Sequence, residues 1–81
     1  MGHRQASNDV DSLNRILAEL EKLPPEETRL VREHLEGARF YLTGAMPEEL
    51  AVNLDLAEQS LDSLPDADLQ ARIRKFIDTH R

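Results

Sequence analysis

Apolar positions recur along this chain at intervals of three and four, the spacing of a helix face, and show no strand-like alternation. Val10, Leu13, Ile16, Leu17, Leu20 and Leu23 make a first stripe. Leu30, Val31, His34, Leu35, Ala38, Tyr41 and Leu42 make a second, spread over an arc of about 140° at 100° per residue. Leu50, Leu54, Ala57, Leu61 and Leu64 make a third, and Leu69, Ile73, Phe76 and Ile77 a fourth. Proline marks each break, at Leu23-Pro24-Pro25, Met46-Pro47 and Leu64-Pro65. Proline disfavours helix in the residue before it and suits the first turn of the helix after it. The pattern predicts helices over about 9–22, 25–43, 47–63 and 66–79.

Local signals support these bounds. Asn8 is placed to cap the first helix, with Asp9 and Asp11 in its first turn facing the positive end of the dipole. Glu26 and Glu27 open the second helix, Glu48 and Glu49 the third. Gly44 suits a left-handed residue just past the second helix. With links this short, successive helices fold back as αα-hairpins. The expected fold is all-α, a small up-and-down bundle of four short helices. It forms a single domain over 8–81 behind a disordered leader, 1–7. The proline breaks look alike, but their spacing is unequal and the 34-residue pattern of helix-hairpin repeats falls out of register, so no repeat is assigned.

Composition agrees with helix. There are 13 Leu and eight Ala against three Val and three Ile. At 81 residues without cysteine, one small core must hold the fold with no disulfide, so packing or self-association supplies the stability. No apolar run approaches the roughly 20 residues of a membrane span. The opening Met1-Gly2-His3-Arg4-Gln5-Ala6-Ser7 lacks the apolar region of a secretory signal, and Ala6 stands where a myristoylation pattern needs Ser or Thr. The expected location is cytoplasmic.

Candidate chemistry is sparse. Asp9-Val10-Asp11-Ser12-Leu13-Asn14 resembles the opening of a calcium loop, but Leu13 occupies a ligand position and the turn glycine is missing. His3, His34 and His80 make no metal-binding pair, and Gly2, Gly37 and Gly44 build no phosphate loop. No metal, cofactor or catalytic residue is assigned. His34 and Tyr41 share the apolar arc of the second helix as candidate buried polar groups. An enzyme would need a polar cavity around them.

Two apolar features exceed what one core needs. Val52 and Leu56 project near 200° and 240° from Leu50, almost opposite the third stripe. Such a helix is either sandwiched within its own fold or meets a partner. Phe40 lies about 80° outside its arc, either as an interface anchor or as a local contact with Ala45 in a Schellman motif closed by Gly44. Gly37, near Phe40, offers a place for another helix to approach.

Charge is segregated. The chain carries −6 overall, and from Phe40 to Ala71 it has seven acids and no Lys or Arg. Arg72, Arg74, Lys75 and Arg81 then face the single acid Asp78. Such a division either satisfies helix dipoles or provides an acidic third helix and a basic fourth for pairing between copies. The expected function is a non-catalytic protein-interaction or regulatory module that self-associates through the third helix. Phe40, Val52, Leu56, Asp55, Glu58 and Asp62 are its candidate interface. The alternatives are a nucleic-acid-associated regulator using Arg72, Arg74 and Lys75, disfavoured by the acidic balance, and a purely structural monomer with Val52 and Leu56 inside.

Overall fold

The computed structural model describes residues 5–80, with side-chain surroundings from Asp9 onward. The chain forms α1 (Gln5–Leu20), α2 (Pro25–Thr43), α3 (Pro47–Gln59), a single 3-10 turn (Leu61–Ser63) and α4 (Ala67–His80). Among the described residues there is no strand. α2 matches its expected bounds, while α3 ends four residues early and hands over to the 3-10 turn. α1 begins at Gln5 rather than near Asp9, so Asn8 lies inside the helix instead of capping it. Asp9 and Asp11 consequently fall beyond the first turn, too far along for the dipole role expected of them. Of the leader expected at 1–7, residues 1–4 lie outside the described residues, and 5–7 belong to α1.

Cross-helix contacts fix the topology. Gly37 lies beside Asn53, and the Ser63 hydroxyl donates to the Glu27 carbonyl at 3.0 Å. Both pairs obey one antiparallel register between α2 and the α3 segment. Asp9 meets His80 at one end of the α1–α4 pair and Glu19 meets Arg72 towards the other, so these helices are antiparallel too. α1 packs on α2 and α4, and α3 packs on the same two. The result is an up-and-down four-helix bundle with a radius of gyration of 11.9 Å, close to the roughly 12 Å of a folded globule this long.

One core runs through the bundle. Leu13, Leu20, Val31, Leu35, Leu54, Leu61, Ile73 and Ile77 are fully buried in it, and Leu23, Tyr41 and Leu42 pack partly buried against it. The buried line of α2 is Thr28, Val31, Leu35 and Ala38. This departs from the expected stripe. Leu30 lies about 120° from the centre of that line and stays 53% exposed, whereas Thr28 is buried. Packing by α1 on one flank and α3 on the other sets the inward direction of α2. Thr28 satisfies its hydroxyl locally, donating to the Pro24 carbonyl at 3.3 Å.

The turns follow the prolines. Pro25 and Pro47 stand in the first turns of α2 and α3, where no helical N–H partner is lost. Leu64 is extended, at φ −79° and ψ 132°, as the residue before Pro65 must be. Asp66 caps α4, its carboxylate accepting the Leu69 N–H at 3.1 Å.

The α2–α3 turn differs from expectation by one residue. Gly44 has φ −83°, and it is Ala45 that adopts the left-handed region at φ 55°. The Met46 N–H bonds the Tyr41 carbonyl at 2.9 Å and the Ala45 N–H bonds the Leu42 carbonyl at 3.3 Å, which is the Schellman pattern. Its hydrophobic positions are therefore Tyr41 and Met46, not Phe40 and Ala45. The left-handed residue falls two positions before Pro47, which opens α3.

Glycine is thus one position away from where the backbone favours it. A Cβ at Gly44 meets nothing closer than the Phe40 carbonyl at 3.4 Å, whereas Ala45 carries the left-handed cost of about 1 kcal/mol. Exchanging them, G44A/A45G, is expected to stabilise the fold by about 1 kcal/mol, read as a raised urea midpoint. In the core, Leu54→Ala is expected to cost about 2–5 kcal/mol in the same assay.

Candidate functional site

Two surfaces stand out once the core is subtracted. The first is the outer face of α3, where Val52 is 57% and Leu56 37% exposed, one helical turn apart. Burial within the same chain, one of the two outcomes open from the pattern, is not what the fold provides. α3 turns Leu50, Leu54 and Ala57 inward, and among the described residues nothing covers Val52 and Leu56 on its opposite face beyond their partial burial. The α2–α3 register brings exposed Leu30 level with Ser60, about one turn beyond Leu56. Gly37 has no Cβ to strike the Asn53 amide oxygen, which would lie 2.7 Å from it. Asn53 fills this gap while donating to the Glu49 carbonyl at 3.0 Å.

The carboxylates expected beside this face divide. Glu48, Glu49 and Asp55 are exposed around it. Glu58 turns away and pairs with Arg74 of α4 at 3.6 Å, so it joins helices of one chain. Asp62 is exposed on the 3-10 turn, beyond α3. Phe40, 69% exposed, is the most accessible large apolar side chain among the described residues, but it belongs elsewhere. It lines a shallow groove with Val10, Glu36, Arg39, Thr43 and Met46, and sets its ring edge-on to Tyr41 at 5.3 Å. The structure thus does not join Phe40 to Val52 and Leu56 in one patch.

His34 and Tyr41 are half-buried on the flank of α2 towards α3 rather than central in its buried line. Seven residues separate them by about 10 Å along the axis. Tyr41 instead packs against the core.

The second surface was not anticipated. A cleft of about 320 Å³ runs between α1 and α4, with Ile16 and Phe76 at its base and Arg15, Arg72, Lys75, His80 and Asp9 around it. His80 stacks on Phe76 with ring centroids 4.3 Å apart, and its Nδ1 lies 2.9 Å from the Phe76 carbonyl. Its Nε2 lies 2.8 Å from an Asp9 carboxylate oxygen, off the line a hydrogen bond needs, so the contact is ionic when the ring is protonated. Arg72 pairs with Glu19, while Arg15 and Lys75 make no ion pair among the described residues. The basic run at residues 72–75 was legible, but its meeting with Arg15 and Asp9 depends on the antiparallel packing of two helices distant in sequence.

Among the described residues no group of three metal-ligating side chains comes together, and no helix is long and apolar enough to cross a membrane. Comparison with protein-family models, curated proteins and solved structures finds no match. Function must therefore be argued from these two surfaces.

Since Phe40 and Val52 carry little of the core, Phe40→Gln and Val52→Gln are each expected to change monomer stability by no more than about 0.5 kcal/mol. Urea unfolding at low protein concentration checks this, with Leu54→Ala as the contrasting core substitution.

Proposed function

We propose that the protein is a small non-catalytic helical interaction module that self-associates through the outer face of α3. The observation that carries this reading is the exposure of Val52 and Leu56 on a helix whose other face is already committed to the core. Two aliphatic side chains one turn apart, ringed by carboxylates, form an amphipathic anchor of the kind helices present to partners. The carboxylates set orientation and discourage wrong partners. The absence of cysteine accords with a cytoplasmic setting.

The alternatives draw less support. A nucleic-acid regulator would use Arg72, Arg74 and Lys75, yet Arg72 and Arg74 are engaged by Glu19 and Glu58. Two of the three cations thus have carboxylate partners already, and phosphate would have to compete with them. A purely structural monomer would keep Val52 and Leu56 inside, and they are outside.

Light scattering over a concentration series tests the proposal. The average mass is expected to rise above the 9.2 kDa of one chain as concentration increases, while Val52→Asp holds at 9.2 kDa with unchanged helix content. A wild-type mass fixed at one chain into the millimolar range would overturn it.

A further inference from the structure

The proposed function leaves open what receives α3. We propose that the α1–α4 cleft of a second copy does, so that the chains join head to tail; this inference rests on self-association through α3.

The charge distribution selects the cleft. α3 presents Glu48, Glu49 and Asp55 around Val52 and Leu56, and no Lys or Arg occurs between Phe40 and Ala71. If two α3 faces met each other about a two-fold axis, Glu48 and Glu49 of both copies would bring four carboxylates around one apolar contact with no cation from either helix. Like charges brought together in this way oppose association. The cleft has the opposite character. Arg15, Arg72 and Lys75 surround it with Asp9, and since Glu19 already holds Arg72, the unmatched positive charge at the cleft is that of Arg15 and Lys75, on a chain whose overall charge is −6. Arg15 and Lys75, without ion-pair partners among the described residues, are the cations left to meet an acidic surface.

Shape points the same way. A groove between two helices, with Ile16 and Phe76 almost fully buried at its base, offers their edges and the apolar stems of Arg15, Arg72 and Lys75 to a helix bringing apolar side chains at i and i+4. Val52 and Leu56 provide that pair, about 6 Å apart along the axis.

Donor and acceptor surfaces on different faces make the contact heterologous. Such contacts build open chains or closed rings rather than stopping at two copies. The average mass should accordingly pass the two-chain value and fall as salt screens the ion pairs.

Charge exchange tests the assignment. R15E/K75E and E48K/E49K, each folded by circular dichroism, are expected to lose at least about tenfold in self-association affinity when alone. Mixed in equal amounts, they should regain affinity, because each variant's α3 then faces a cleft of opposite charge. E48Q/E49Q, which avoids placing cations at the α3 N-terminus, serves as a second variant and should weaken association in the same direction. If R15E/K75E associates as well as the wild type while Val52→Asp does not, α3 is the interface but the cleft is not its receptor, and the inference is overturned. Failure of the mixture to recover would also overturn it. A wild type that never associates removes the proposed function itself, a distinguishable result.

Discussion

Four helices share one apolar core, and each has only one face to give it. A bundle this small turns one stripe per helix inward, and whatever apolar surface lies elsewhere stays outside. The constraint explains why Leu54 and Leu61 vanish into the interior while Val52 and Leu56, on the same stretch of chain, remain accessible. It also explains Thr28. The packing direction of α2 places that residue inside, and its hydroxyl is accommodated by a backbone carbonyl within its own turn.

Closing that core requires antiparallel neighbours in a defined register, which the turns provide. Between α2 and α3 the proline at the start of α3 and the Schellman hydrogen bonds at the end of α2 must share three residues. The compromise leaves Ala45 in the left-handed region and Gly44 in an ordinary one. The register that follows sets Gly37 against Asn53 and Glu27 against Ser63. The α1–α4 register brings Asp9 of α1 to His80 at the end of α4, creating a cleft from residues some sixty positions apart.

Those two levels account for what was legible beforehand. The helices were readable because periodicity and proline are local, and a residue's neighbours on its own helix are fixed by 3.6 residues per turn. Helix direction, hairpin order and the identity of most core leucines followed. Boundary errors arose where local signals compete: Asn8 is a good cap but also tolerable inside a longer α1, and Gly44 a good terminator one residue too early. Leu30 was misplaced because a stripe covering 140° does not say which of its edges will be covered. Glu58 was grouped with the α3 face on position alone, whereas its contact with Arg74 turns it towards α4, and Phe40, a candidate anchor on α2, lines the groove beside Val10.

The chain alone therefore determined that the protein is four short antiparallel helices, that its acids and bases are segregated, and that α3 carries a second apolar face. These properties reside in neighbouring residues or in composition. Only the tertiary structure decided that this face is left outside, that Phe40 stands apart from it, and that Arg15, Lys75, His80 and Asp9 meet around one cleft. Each of those outcomes depends on the rotation of a helix about its axis and on the register between helices. Both are set by how side chains from distant segments pack together, which no single stretch of sequence contains.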